Sequence, residues 1–301
     1  MQYSLSQWIV FFCGFLGLIS LDLAFSKKHI SSFRTSILLS AVYILVGILF
    51  GLYLLTVSRD IAYEYFTGFF VEKTLAIDNI FIIYIIFKYF NIPQDKQHKV
   101  LFIGILSALF LRGILIFAGS KLIVNFHWVL YLFSIILIFT GVKMLFTIHK
   151  GMSIDLEKNW LFSKIRNKFT ISNSHESFFV YQNNVLVPTS LFCSLVMIEV
   201  ADIIFAIDSI PAIFAITNDT YVIYTSNMFA ILGLRSLYFA LCNLIEKFHY
   251  LKYSLAVLLI IIGMKIMLKD YIYINSGSLL IVTMIILFLG LVLSIQKSCT
   301  K

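Results

Sequence analysis

The chain has 301 residues, of which 60% are apolar and only 13% charged, where an ordinary soluble domain carries about 25% charged residues; a soluble globular fold is excluded on that ground. The formal net charge of +8 does not mark a nucleic-acid partner, because the basic residues gather in alternate loops and not on one face. Cys13, Cys193, Cys242 and Cys299 form no CxxC pair and fall mostly inside apolar runs, so neither a disulfide framework nor a thiolate metal site is indicated.

In chain order, apolar runs of about 20 residues recur along nearly the whole sequence, each long enough to cross a hydrocarbon core of roughly 30 Å. They predict about nine transmembrane helices, centred near Phe15, Leu45, Ile80, Leu109, Ile136, Ile204, Phe229, Ile260 and Leu287. The expected fold is therefore an all-α polytopic membrane protein, residues 1–301 forming a single transmembrane domain. Residues 1–60 hold two helices. The first lacks the basic start and small-residue cleavage site of a secretory signal and has Asp22 near its end, so it reads as a retained span. Residues 65–147 hold three further helices, and residues 148–186 form a polar segment that ends in a short hairpin turning at Asn183-Asn184. Three more helices fill 187–269, and a last one covers 277–296.

Loops on one side carry Lys27, Lys28, Lys96, Lys99, Lys158 and Arg166 among others, whereas the opposite side holds Arg59, Lys121, Lys265 and Lys269. This asymmetry places the N-terminus outside, and the C-terminus and the 148–186 segment in the cytoplasm. No GxxxxGK[ST] phosphate loop occurs, which disfavours ATP-driven pumping by this chain alone.

The two triplets of helices share landmarks. Phe126-His-Trp-Val-Leu-Tyr131 leading to Gly141 and Lys143 aligns without gaps with Phe248-His-Tyr-Leu-Lys-Tyr253 leading to Gly263 and Lys265. Upstream, Leu111-Arg112-Gly113 matches Leu234-Arg235-Ser236, and Glu72 through Asp78-Asn79 matches Asp202 through Asp208-Ser209. The charge bias makes the third span run inward and the sixth outward, so the units 65–147 and 187–269 are expected to be inverted three-helix repeats. Secondary transporters use such repeats, with the binding site near the midplane where the units meet.

An ionisable residue within a span costs about 2.5 to 3.5 kcal/mol, so its default reading is functional. Asp22, Glu72, Asp78, Glu199, Asp202 and Asp208 are set against only Lys73, Arg112 and Arg235 as intramembrane cations. The surplus acids must be protonated, solvated or neutralised by a bound cation. A structural alternative pairs Arg112 and Arg235 with Asp78 and Asp208, which leaves that surplus unexplained. Pro211 removes a donor and frees the carbonyl of Ile207, so a break in the sixth span beside Asp208 is expected to offer backbone oxygen to a cation. Together with Asn79, Thr74 and Ser209, the donor set is all oxygen, which suits Mg2+, Ca2+ or Mn2+ and suits Cu+ or Zn2+ poorly. His127 and His249 open matching spans at the interface, where packing outweighs metal ligation; Met197 and Met228 read as packing residues.

At these motifs the sequence resembles the TerC family of integral membrane proteins. The blocks are Val71-Glu-Lys-Thr-Leu-Ala-Ile-Asp-Asn-Ile80, Ile198-Glu-Val-Ala-Asp-Ile-Ile-Phe-Ala-Ile-Asp-Ser-Ile-Pro211, Thr225-Ser-Asn-Met-Phe-Ala-Ile-Leu-Gly-Leu-Arg235 and Leu21-Asp22. The resemblance implies a bacterial-type inner-membrane protein linked to tellurite resistance by name and to manganese export by activity. Its acidic positions fall on Glu72, Asp78, Glu199, Asp202 and Asp208, with Asn79 and Ser209 beside them.

The expectation is thus a secondary transporter, not an enzyme, that exports a divalent cation, with Mn2+ the leading candidate and no bound cofactor. Glu72, Asp78, Asn79, Asp202, Asp208 and Ser209 are the expected ligands, and Glu199 is a further ligand or the carrier of a counter-transported proton. Arg112 and Arg235 are expected to compensate the acids when no ion is bound. The partners are the metal ion and the lipid bilayer, with a homo-oligomer or other membrane proteins compatible and nucleic acid excluded. Two rivals are a non-transporting scaffold or tellurite-resistance factor acting through the cytoplasmic segment, and an intramembrane aspartyl protease using Asp78 and Asp208. The second lacks the GxGD signature.

Overall fold

The structure, a computed structural model, describes residues 5–26, 33–126, 128–149, 177–182, 185–241, 249–269, 271 and 275–299. Its helices are α1 (Leu5–Ser26), α2 (Phe33–Val57), α3 (Arg59–Tyr89), α4 (Gln94–Asn125), α5 (Val129–His149), α6 (Ser190–Ile216), α7 (Thr220–Ile231), α8 (Leu234–Leu241), α9 (His249–Met267) and α10 (Ser276–Cys299). Each predicted span centre lies in a helix. Six helices, α2, α4, α5, α6, α9 and α10, are long and apolar enough to cross a membrane. Of the other three predicted spans, α1 contributes a shorter apolar stretch, Phe11–Ser20, α3 is 31 residues long but carries the charged motif, and the Phe229 segment is broken in two.

The polarity runs opposite to that of a soluble protein. Leu38, Phe110, Phe139, Ile281 and Phe288 are exposed on the outside, while Thr67, Ser134, Ser194, Thr225, Ser226 and Asn227 are fully buried. Apolar exterior on this scale is tolerated where lipid is the solvent.

Helices of the two predicted units interdigitate: α3 packs on α7 and α6, α4 on α6, and α5 on α9. At the α5–α9 contact, a Cβ on Gly141 would lie 2.6 Å from the Ala256 carbonyl oxygen and 2.7 Å from Ile260 Cγ1. On the facing helix, a Cβ on Gly263 would lie 2.9 Å from the Ser134 carbonyl oxygen and 2.8 Å from Ile138 Cγ1. The shift in numbering that carries Phe126 onto Phe248 also carries Ser134 onto Ala256, Ile138 onto Ile260 and Gly141 onto Gly263. The contact is therefore reciprocal, each helix presenting its glycine to the same positions of the other, and only glycine permits so close a backbone approach.

Helix ends follow local chemistry. α3 stops in a Schellman motif: Asn91 takes φ 50°, the Ile92 N–H donates to the Phe87 carbonyl at 3.0 Å, and the Asn91 N–H donates to that of Lys88 at 3.3 Å. Pro93 then opens α4. α7 is capped at its start by Asp219, which accepts from the N–H groups of Tyr221 and Val222, and it ends at Gly233, where φ is 78°. Tyr43 crowds that turn, since a Cβ on Gly233 would lie 2.5 Å from its ring.

The break in the second unit is at Gly233 and not at Pro211. α6 runs unbroken from Ser190 to Ile216 with Pro211 inside it. Proline removes one intrahelical bond, and a packed helix carries on past such a loss when neighbours hold it; Ile210, Ala212, Ile213 and Phe214 around it are all buried. Glycine at positive φ turns the chain outright.

The predicted hairpin forms as β1 (Phe179–Gln182) antiparallel to β2 (Val185–Pro188), with Gln182 opposite Val185. It is tied to the start of α6, because the Thr189 N–H donates to the Phe178 carbonyl at 3.0 Å and its hydroxyl to that of Ser177 at 2.7 Å. The turn residues Asn183 and Asn184, most of the preceding polar segment, His127 and Cys242 lie outside the described residues, as do the side chains of Asp22, Asp78, Asp208, His249 and Cys299.

Candidate functional site

Four helices converge on Arg112, whose side chain is 2% exposed. From α4 it donates through Nη1 to Glu72 Oε1 on α3 and, at 3.0 Å, to Asn227 Oδ1 on α7. On its other edge, Nη2 reaches Asp202 Oδ1 on α6 at 2.9 Å and Nε reaches Asp202 Oδ2 at 3.3 Å. A planar guanidinium serves two carboxylates and an amide at once and grips one carboxylate from two separate nitrogens, which the single nitrogen of a lysine cannot do. Removing one partner of a buried ion pair costs about 3–5 kcal/mol because the survivor is left uncompensated.

Glu199 stands one turn before Asp202 on the same face of α6. Its Oε1 accepts from the Ser107 hydroxyl of α4, and its Oε2 is buried without a hydrogen-bond partner. Asn79, Glu199 and Asp202 line one cavity of about 30 Å3, walled elsewhere by Gly104 and Ala108 of α4, Ile83 of α3 and Leu234 of α8. A cavity holds a water once about 10–15 Å3 of it is open to a water-sized sphere, so this space admits a water or a small ion. Asn79 Oδ1 is also buried without a partner. An unsatisfied oxygen in apolar surroundings costs several kcal/mol, so Glu199 and Asn79 present acceptors to whatever enters this cavity. Gly104 leaves the space beside Glu199 open: a Cβ there would stand 3.4 Å from Oε1.

Of the expected site residues, Glu72 and Asp202 meet through Arg112, while Asn79, Glu199 and Asp202 share the cavity. Ser209 is buried with its hydroxyl unpartnered but does not line that cavity. Arg235 is buried on α8, next to the cavity residue Leu234. The side chains of Asp78 and Asp208 lie outside the described residues. Among the described residues, no three His, Cys, Asp or Glu side chains form a cluster able to hold a metal; Arg112 stands between Glu72 and Asp202, and Ser107 holds Glu199.

Sequence reasoning missed Ser107, Asn227 and the role of Lys73. Asn227 sits inside one of the motif blocks, a signal that was present without an assigned role. Ser107 is an isolated hydroxyl in an apolar run and carries none. Lys73 counted only as a cation; its partners are backbone carbonyls, which a count of charged side chains does not register.

The model of a family described as integral membrane protein TerC matches residues 57–301. The chain belongs to the TerC family. An uncharacterized membrane protein of Rickettsia bellii is 46% identical to it over 296 residues, 97% of each chain. Two relatives share the provisional name of membrane-bound redox modulator Alx. That of Salmonella typhi is 40% identical over 291 residues, 92% of this chain and 90% of its own. That of Photorhabdus laumondii is 41% identical over 279 residues, 86% of each. No solved structure matches. Membership makes this TerC-family chain an integral membrane protein, in agreement with its apolar exterior and its long apolar helices.

Proposed function

We propose that this TerC-family protein is a secondary transporter that exports a divalent metal cation, with Mn2+ the leading candidate. The observation that carries this reading is the cavity shared by Asn79, Glu199 and Asp202, two of which hold a buried oxygen without a partner. All its polar donors are hard oxygen atoms, the set that Mn2+, Mg2+ and Ca2+ take. The ligand set in this proposal is Glu72, Asp78, Asn79, Glu199, Asp202, Asp208 and Ser209, drawn from α3 and α6 in a nine-span bundle. That bundle lies in the inner membrane with its N-terminus outside and its C-terminus cytoplasmic. The reciprocal glycine contact between α5 and α9 supports the inverted-repeat part of the reading.

In this mechanism Arg112 is the resident counter-charge. A divalent cation entering beside Glu199 and Asp202 displaces the guanidinium, and Arg112 returns as the ion leaves, so buried carboxylates are compensated throughout. Arg235 plays the corresponding part on α8.

The test is flux of Mn2+, Mg2+, Ca2+ and Zn2+ in proteoliposomes, with and without a pH gradient, for the wild type and for E199Q and D202N. Flux of Mn2+ that falls by about tenfold or more in either variant, with thermal stability retained, is the expected result. No metal-dependent flux in the wild type would remove the proposal.

The name of the Alx relatives points to a second reading, modulation of redox state. A direct dithiol route would need neighbouring cysteines, and the free thiols among the described residues, Cys13 and Cys193, stand on α1 and α6. Growth under thiol oxidants with all four cysteines replaced by Ser separates the two: the transporter reading expects no change.

A further inference from the structure

Lys73 follows Glu72 on α3 but serves a different part of the molecule. Its ammonium Nζ donates to the Ala230 carbonyl at 2.9 Å and to the Leu232 carbonyl at 3.2 Å. Both carbonyls lie at the end of α7, just before Gly233 turns the chain into α8. The last carbonyls of a helix have no intrahelical partners, and their aligned dipoles place about half a negative charge there. Water solves this problem at a protein surface; inside a bilayer something else must. Broken helices of transporters offer such carbonyls to small cations. Among the described residues Lys73 forms no ion pair with a carboxylate, so the contacts it makes there are those to the carbonyl oxygens.

We propose that the α7–α8 break is a cradle for a small monovalent cation, filled in this protein by the tethered ammonium of Lys73. The tether has two consequences. The broken helix is compensated without a dissolved cation, so the conformation at Gly233 is independent of Na+ or K+. It also links α3, whose Glu72 grips Arg112, to the hinge of α7, whose Asn227 accepts from the same Arg112. Lys73 is thus a positioning residue that holds the hinge.

The inference goes beyond the metal site, and its test reads folding stability without divalent metal, so either idea can fail alone. The purified full chain and its K73A variant are unfolded thermally in choline, sodium and methylammonium chloride at equal ionic strength. K73A is expected to melt below the wild type and to recover by roughly 2–4 °C in methylammonium or sodium but not in choline, which is too large for the cradle. The wild type is expected to respond to none of the three. Identical responses of the two proteins overturn the proposal. Should K73A not survive purification, K73R and K73Q decide, because both carry N–H donors and only arginine carries charge. K73R is expected to melt well above K73Q; equal stability of the two, high or low, overturns the proposal.

Discussion

Arg112 on α4 and Asp202 on α6 meet through two parallel contacts, Nη2 to Oδ1 at 2.9 Å and Nε to Oδ2 at 3.3 Å. The geometry joins a helix of the first predicted unit to one of the second inside the apolar interior. Because Glu72 takes a further edge of the same guanidinium, one cation compensates two acids, and the balance is sensitive to any charge that arrives or leaves.

Replacing Arg112 by Met keeps the volume and removes the charge. It leaves the buried Glu72 and the part-buried Asp202 without their shared cation, with an expected loss of about 3–5 kcal/mol, read as a lower melting temperature of the purified protein. Under the transport proposal, added Mn2+ raises the melting temperature of R112M more than that of the wild type. An equal response would show that the freed acids do not take the metal.

Ser107 and Glu199 form the second pair to probe. S107A removes the one hydrogen bond that Glu199 receives among the described residues, worth about 1.5–3 kcal/mol for a charged acceptor, and is expected to weaken metal flux less than E199Q does. Dose–response curves for Mn2+ in proteoliposomes order the two variants; the reverse order would take Glu199 out of the ligand set.

Gly233 tests the break directly. G233A forces a Cβ into a backbone of φ 78°, which costs about 1–2 kcal/mol for an L-residue, and drives it to within 2.5 Å of the Tyr43 ring. The combined variant Y43A/G233A is expected to recover the steric part of the loss and not the backbone part. Thermal unfolding of the double-mutant cycle separates them.

Gly141 and Gly263 test the reciprocal contact. G141A and G263A each place a Cβ against a backbone carbonyl oxygen, at 2.6 Å and 2.9 Å, and each is expected to cost about 1–3 kcal/mol through overpacking. Once one substitution has pushed α5 and α9 apart, the second meets less resistance. The double variant should therefore lose less than the sum of the singles; strict additivity would show that the two glycines do not share one interface.

The amino-acid sequence by itself determined the class of molecule, the positions of the helices, the hairpin before α6 and the acidic blocks. It could do so because hydropathy, turn chemistry and the cost of charge in a bilayer are local properties, read residue by residue. Tertiary structure alone decided what the charges do. Arg112 chooses Glu72 and Asp202, Ser107 meets Glu199, and Lys73 finds the carbonyls of Ala230 and Leu232. It also decided that the helix breaks at Gly233 and not at Pro211. Partners separated by 40 to 159 positions along the chain meet only after helices pack, and whether a proline or a glycine breaks a helix depends on which neighbours supply the missing bonds.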